Sequence, residues 1–175
     1  GWIPRYYVGE KIGYVLGDAS NAYGKVISKS WLARAKKEEV SFSPEAGWDD
    51  VKLKTFRRHI VELGKTGFTF IYDELEAEEP VTWSYLLHTV TNPMNVNMVN
   101  EFVHVQATSK NGISDAYLLG SDELKTDTTS QFFTPATNWL RADDKGNFKK
   151  YPNHWHFTAT SGKHKVYRFV TIIHT

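Results

Sequence analysis

The stretch FRRHIVELGKTGFTFIYDELEAEEPVTWSYLLHT, residues 56–89, decides the fold class of this 175-residue chain. It contains two runs in which apolar and polar residues alternate, then an acidic segment that we predict to be a turn. A Trp- and Leu-rich run that reaches His88 follows. Alternation with a period of two residues is typical of a β-strand with one buried face. The stretch therefore predicts strands joined by turns.

Strand-like runs recur along the rest of the chain, with turn residues between them. Asn111-Gly112 separates two alternating runs and predicts a hairpin, because both central residues of the tightest turns need positive φ. Ser161-Gly162 is predicted to separate the last two strands in the same way.

Only residues 30–37 (SWLARAKK) have a helical pattern, and 120–150 are predicted to be loops around one short strand at 131–133. We therefore predict an all-β chain, an antiparallel β-sandwich with little helix that spans residues 1–175 as one domain.

Composition narrows the classes of function. The chain contains 21 Lys and Arg and 20 Asp and Glu, but residues 141–175 hold seven basic and two acidic residues. A basic region suits a polyanion such as an acidic sugar or a nucleic acid, or else it is a solvated tail. The chain has no cysteine, which excludes disulfides and thiolate chemistry. No apolar run approaches the length of ~20 residues that a membrane-spanning helix needs. The sequence also contains no nucleotide-binding or serine-nucleophile motif.

Arg57 and His59 share one face of the strand predicted at 51–63, and Arg58 lies on the other face. An arginine beside a histidine can bind a carboxylate or a sulfate group. The alternative is that Arg57 pairs with the acidic segment while His59 fills a half-buried position.

The acidic segment offers five carboxylates that could bind calcium or act as a base, but it lacks the aspartate spacing and glycine of a calcium loop. We interpret it as a solvated turn that prevents edge pairing. The residues are Asp73, Glu74, Glu76, Glu78 and Glu79.

Each of three histidines could belong to a functional site or could serve only to pack the structure. His154 and His156 point the same way on a strand and would bind a metal with a third ligand, as in a cupin. However, no glutamate follows Glu123, so packing around Trp155 is the alternative. His88 at a strand end is either a functional group on the rim or a capped core histidine.

Four segments resemble the β-sheet region of the heparinase II/III-like polysaccharide lyases and occur in that family's order. They are residues 56–89, 13–25 (GYVLGDASNAYGK), 154–161 (HWHFTATS) and 167–175 (YRFVTIIHT). The resemblance implies β-elimination on glycans that contain uronic acid, in a cleft between an α/α toroid and a β-sandwich. This sequence contains neither the family's His-Asn-His motif nor an equivalent of its Asp-Ser-Gly. We therefore expect the catalytic and metal-binding residues of the lyase outside this chain, and assign it no catalytic residue, metal ligand or cofactor.

The resemblance implies a C-terminal sandwich segment that is not catalytic by itself. We expect an acidic polysaccharide and the rest of the lyase as partners, no nucleic acid or membrane, and a periplasmic or secreted location. Heparin or heparan sulfate is the expected substrate. The expected substrate contacts are Arg57, Arg58, Lys149 and Lys150, with His59 and His88 behind them.

Alternatives remain at this point. An alginate or oligoalginate lyase would share the same β-domain plan. A non-catalytic carbohydrate-binding module would bind sugar through exposed aromatic residues such as Trp139 or Trp155. A cupin-like metalloprotein would use His154 and His156.

Overall fold

The computed structural model of the chain describes residues 1–22, 30, 33, 36–37, 52–90, 92–131, 141–142, 144–149 and 153–175. These residues contain eleven strands and one short 3-10 turn at Gly64–Thr66. The strands are β1 (Trp2–Val8), β2 (Gly13–Asp18), β3 (Leu53–Glu62), β4 (Phe68–Thr89), β5 (Asn95–Val99), β6 (Phe102–Ser109), β7 (Gly112–Gly120), β8 (Lys125–Thr129), β9 (Arg141–Ala142), β10 (Phe148–Lys149) and β11 (Trp155–His174).

Every strand pair in this part of the chain is antiparallel. Nine strands form one sheet in the order β1-β2-β3-β4-β11-β7-β6-β5, with β8 pairing separately to β11, while β9 and β10 form a small second sheet. The predicted all-β antiparallel class is confirmed. No helix among the described residues is both long and apolar enough to cross a membrane.

Two long strands, β4 and β11, form a ribbon at the centre of the sheet. They contain 22 and 20 residues and pair from Phe68 opposite His174 to Thr89 opposite Trp155. The predicted turn at the acidic segment is wrong, because those five residues lie inside β4. The predicted turn at Ser161-Gly162 is also wrong, since that dipeptide lies at a register shift within β11.

Cross-strand charge explains why the acidic segment forms a strand. Glu76 and Glu78 point to one face and form ion pairs of 3.5 and 3.4 Å with Lys54 and Lys52. Leu75 and Ala77, on the opposite face, are buried in the core. Pairing with the neighbouring strand therefore outweighs the local preference for a turn. That preference reflects only the density of charged residues along the sequence.

The ribbon is sharply bent. Phe169 pairs with Asp73, twelve residues from Tyr85 along β4, which would place the two positions about 40 Å apart on a straight strand. The ring centroids of Tyr85 and Phe169 are nevertheless 5.6 Å apart. The two register shifts of β11, between Thr160 and Lys163 and between His164 and Val166, lie at this bend.

The bend allows the two halves of the sheet to enclose one core. Its largest fully buried side chains include Tyr167, Phe157 and Phe169 of β11 and Leu118 of β7. Apolar burial of this kind contributes roughly 1.5–3 kcal/mol for each large side chain. The remaining core residues are Leu75, Ala77, Trp83, Tyr85, Met94, Val103, Val105, Ala116 and Ala159.

Tyr167 holds the corner between β7 and β8. Its side chain is fully buried, and its hydroxyl donates to Asp122 Oδ1 at 2.7 Å. Burial, together with the hydrogen bond to Asp122, raises the pKa of Tyr167 to about 12, so the phenol stays neutral. The backbone at Gly120 approaches closely, because a Cβ there would lie 2.2 Å from the Tyr167 hydroxyl oxygen.

The predicted hairpin at Asn111-Gly112 forms, but its turn is one residue earlier than predicted. Ser109 pairs with Gly112, so Lys110 and Asn111 form the turn, and neither has positive φ. The positive φ angles that the prediction assumes for both central residues therefore do not occur in this turn. A second hairpin, β5–β6, does have Asn100 at φ 55° in its turn.

Two other predictions fall partly outside the described residues. Ser30, Ala33, Lys36 and Lys37 are the described members of segment 30–37, and all four are helical. Of the strand predicted at 131–133, only Gln131 is described, and it is not in a strand. The loops predicted over 120–150 are wrong at β8, β9 and β10. Strand β8 was not predicted, because its sequence KTDTT has no apolar alternation.

We predict that Gly120→Ala destabilises the protein by about 1–3 kcal/mol, because the new methyl group overlaps the Tyr167 hydroxyl oxygen. Gly112→Ala is the matched control, since nothing lies within 4 Å of its Cβ position. Its free energy of unfolding should be unchanged or slightly higher. Urea unfolding measures both.

Adding Tyr167→Phe to Gly120→Ala removes the overlapping oxygen. The double variant should therefore lose less stability than the two single variants combined. Additive losses would show that the Tyr167 hydroxyl does not set the requirement for glycine.

Candidate functional site

One side of the large sheet faces away from the core, and we call it the outer face. A row of alternating charge crosses four strands on this face. Asp18 of β2 is opposite Arg57 of β3, Arg57 is opposite Glu74 of β4, and Glu74 is opposite Arg168 of β11. Opposite charges on neighbouring strands stabilise a sheet, and this charged row brings two arginines to one surface.

Asp18 and Arg57, the first two residues of the charged row, form an ion pair. Arg57 Nε donates to Asp18 Oδ2 at 2.8 Å, and the backbone amide of Ser20 donates to Asp18 Oδ1 at 2.9 Å. The Arg57 hydrogen bond is the main cause that lowers the pKa of Asp18 to about 2. Arg57 therefore pairs with Asp18 at the end of β2, and the predicted ion pair with the acidic segment is wrong.

Glu74 turns away from Arg168 toward His59. Its Oε2 lies 3.1 Å from His59 Nε2, and the Tyr14 hydroxyl lies 2.9 Å from His59 Nδ1. The Tyr72 ring is 5.7 Å from the His59 ring. With a proton on Nε2, His59 donates to Glu74 and accepts from Tyr14, so the three groups form one hydrogen-bonded chain. His59 is half-buried, as one of the two sequence interpretations predicts.

Arg168 ends the charged row, and sequence reasoning did not select it. Its Nε donates to the Tyr72 hydroxyl at 3.1 Å, and Nη1 donates to the carbonyls of Leu75 and Tyr167 at 3.1 and 2.8 Å. None of the ion pairs in the described part of the chain includes Arg168. Its position beside Glu74 depends on the β4–β11 register, which no local pattern reveals.

Arg58 lies on the face opposite to Arg57 and His59. Its guanidinium forms a bidentate ion pair with Asp73, at 2.7 and 2.8 Å, and lies 5.2 Å from the centre of the Tyr85 ring. Asp73 is only 2% exposed. Arg58 and Arg57 therefore cannot approach one ligand from the same side of the sheet.

His88 is on the other half of the ribbon. It pairs with His156 across the strands, with ring centroids 4.7 Å apart. Burial lowers the pKa of His156, and the nearby His88 and His154 lower it further. His88 also lines a cavity of about 430 Å³ together with Asn92 and Thr108, among other residues.

The remaining predicted residues are distributed elsewhere. The backbone of Lys149 lies in β10, whereas Lys150 and Trp139 are outside the described residues. Trp155 is partly buried and packs against the core. Across the described ranges, no three histidine or carboxylate side chains are grouped to hold a metal ion, so His154 and His156 lack a third ligand there.

A second histidine cluster occupies the outer face on β6 and β7. His104 Nε2 lies 2.8 Å from Asp115 Oδ1, and Nδ1 lies 2.9 Å from Asn97 Oδ1. The hydrogen bonds from His104 and Gln106 lower the pKa of Asp115. The His104 ring stacks on Tyr117 with centroids 4.6 Å apart. Sequence reasoning missed this cluster, because its members come together only through strand pairing.

No family model and no curated protein matches this chain. Solved structures do match it. Heparinase III aligns with 98% of this chain at a TM-score of 0.53 and 13% sequence identity, over 20% of its own length. The heparan sulfate lyase HepC from Pedobacter heparinus aligns with 99% of this chain at a TM-score of 0.54 and 11% identity, over 21% of its own length.

These similarities concern the fold. The chain has the antiparallel all-β fold of one region of these lyases and spans about a fifth of their length. At 11–13% identity, the alignments transfer no functional residue to this chain.

The Asp18–Arg57 pair predicts an acid-dependent contribution to stability. Because the pKa of Asp18 is lowered from 3.8 to about 2, its ionised form stabilises the fold above pH 3.8, and this contribution disappears as the pH falls toward 2. The difference in unfolding free energy between the wild type and Asp18→Asn should shrink over that interval. Urea unfolding at several pH values measures it.

Asp127→Asn serves as the control for Asp18→Asn, because Asp127 is an exposed residue of β8. Its difference from the wild type should be small at every pH. An Asp18→Asn difference that stays constant between pH 3.8 and 2 would contradict the role of Arg57.

We predict that Arg58→Met costs about 3 kcal/mol of stability, because it leaves the buried Asp73 carboxylate without its partner. Lys54→Met breaks the exposed pair with Glu76 and should cost at most about 1 kcal/mol. Equal losses in urea unfolding would show that Arg58 is not part of the structural core.

Proposed function

We propose that this chain is the β-sandwich portion of a heparinase II/III-like polysaccharide lyase, which cleaves glycans of the heparin or heparan sulfate type by β-elimination. In this proposal the chain forms one wall of the substrate cleft and contacts the glycan. The catalytic groups and any metal ion belong to the rest of the lyase, which includes the α/α toroid and is the chain's covalent partner. The proposal includes a periplasmic or secreted location. It also includes that neither a nucleic acid nor a membrane is a ligand.

The observation that carries this proposal is the structural match over nearly the whole chain to one region of heparinase III and of HepC. The positions of the segments that resemble the family are consistent with it. Residues 56–89 contain most of β3 and all of β4, and residues 167–175 contain the last eight residues of β11. The segments that resemble the family therefore form the centre of the sheet that the structural match covers.

The chemistry of the outer face suits an acidic glycan. Arg57 and Arg168 lie on either side of Glu74, and guanidinium groups can bind carboxylate and sulfate oxygens, although Arg57 already uses its Nε for Asp18. His59 lies two residues from Arg57 on β3, in the neighbouring row. Phe70 and Tyr72 are 36% and 39% exposed, and aromatic faces of this kind can pack against sugar rings. Lys149 and Lys150 lie in the basic C-terminal region and would add long-range attraction.

The exposed aromatic residues also favour a second candidate, a non-catalytic carbohydrate-binding module. Such a module would bind the same glycans and release no product. An alginate or oligoalginate lyase would act on an unsulfated polyuronate. Both alternatives can be separated from the proposal by substrate and product.

The experiment compares the 175-residue chain with the longest polypeptide encoded in frame with it. Each is incubated with heparan sulfate, heparin and alginate, and the ultraviolet absorbance of unsaturated uronate products is followed. We expect product from heparan sulfate only with the longer polypeptide, because the catalytic groups lie outside this chain. Product from the short chain alone would overturn the division of roles, and binding without product from either would favour the binding module.

The basic C-terminal region gives a separate prediction. Lys149→Ala combined with Lys150→Ala should elute earlier from a heparin column than the wild type, because two cations are lost. The matched control replaces Lys11 and Lys65, two exposed lysines that lie between strands, with alanine. Equal shifts for both double variants would remove Lys149 and Lys150 from the list of contacts.

A further inference from the structure

We propose that Arg168 and Tyr72 form a subsite for one anionic group of the glycan, either a carboxylate or a sulfate. Resting on the proposed function for the nature of the ligand, this inference adds a specific position on the outer face. Arg168 was not among the contacts predicted from sequence.

The first argument is charge. Arg57 and Arg58 each form an ion pair with an aspartate. Glu74 lies opposite Arg168 in the register, but its carboxylate bonds to His59. Arg168 is therefore a partly buried guanidinium without a carboxylate in its own ion pair among the described residues. A charge in this state gains more from an external anion than one that is already paired.

The second argument is orientation. Three neutral oxygen atoms, from the Tyr72 hydroxyl and from the carbonyls of Leu75 and Tyr167, accept hydrogen bonds from Nε and Nη1. These hydrogen bonds fix the orientation of the guanidinium group. Because the acceptors are neutral, they do not neutralise its charge. Nη2 makes no hydrogen bond within the described part of the chain, so its two N–H groups are available to a ligand. Fixing a side chain in advance lowers the entropy cost of binding.

The third argument is that a second donor is available beside Arg168. The Tyr72 oxygen accepts from Arg168 Nε, so the hydroxyl proton of Tyr72 can point to a ligand oxygen. Tyr72 is 39% exposed and Phe70, two residues before it on the same face, is 36% exposed. A sugar ring packed along this aromatic edge would bring its acidic group to Arg168.

A purely structural role for Arg168 predicts different behaviour. In that case the side chain would only satisfy the carbonyls of Leu75 and Tyr167 near the bend. Its removal would then lower stability without changing the affinity of the folded protein for anions. The experiment must therefore measure both quantities.

The test uses the 175-residue chain and size-defined heparan sulfate oligosaccharides in calorimetric titrations. Arg168→Gln should weaken binding roughly ten- to a hundredfold, as expected for the loss of charged hydrogen bonds. It should also lower the salt dependence of log Kd by about one unit of slope, since one anion contact is lost. The control Arg5→Gln removes an exposed charge from β1 and should leave affinity within about twofold.

Two further variants separate the subsite from packing. Tyr72→Phe keeps the carbonyl contacts of Arg168 and should weaken binding several-fold at unchanged thermal stability. Arg168→Lys keeps the charge but loses the planar donor arrangement, so its affinity should fall between the wild type and Arg168→Gln. Unsulfated polyuronate oligomers, run in parallel, show whether the subsite takes a carboxylate as well as a sulfate.

The outcomes are distinct. If Arg168→Gln, folded by thermal unfolding, binds as tightly as Arg5→Gln, the subsite is refuted. If the wild-type chain binds no acidic glycan while the longer polypeptide releases unsaturated product, the subsite fails and the lyase proposal stands. If there is neither binding nor product, both fail.

Discussion

The bend of the β4–β11 ribbon is the constraint on which the rest of the structure depends. Two strands of 22 and 20 residues pair along their length, so each half alone would present one apolar side to solvent. Folding the ribbon brings Tyr85 against Phe169 and covers both halves with a single core. β3, β7 and β8 attach to the edges of this ribbon, and their positions follow from its shape.

The same strands separate the charges on the two faces of the sheet. Arg57 and Arg58 are neighbours in sequence, yet strand alternation sends one to Asp18 on the outer face and the other to the buried Asp73. The inner pair stabilises the fold beneath Tyr85, whereas the outer row presents arginines, a histidine and aromatic rings together. This arrangement supports a glycan-binding wall within a larger lyase, the function proposed from the fold match and the family resemblance.

Sequence patterns predicted the local parts of this architecture well. The alternation in residues 51–63 correctly placed Arg57 and His59 on one face, and the hairpin predicted at Asn111-Gly112 formed with its turn one residue earlier. The acidic segment was misread, because neutralisation by Lys52, Lys54 and Arg58 comes from a neighbouring strand. Ser161-Gly162 was misread as a turn, because a register shift in a long strand uses the same small residues.

By itself, the sequence determined the antiparallel all-β class and the faces of β3, since alternation is encoded along a single strand. Only the tertiary structure decided the partners across strands: Asp18 for Arg57, His59 for Glu74, and the neutral oxygens that hold Arg168. Those contacts join residues far apart in the chain, and the register that brings them together depends on the bend and on packing of the whole core.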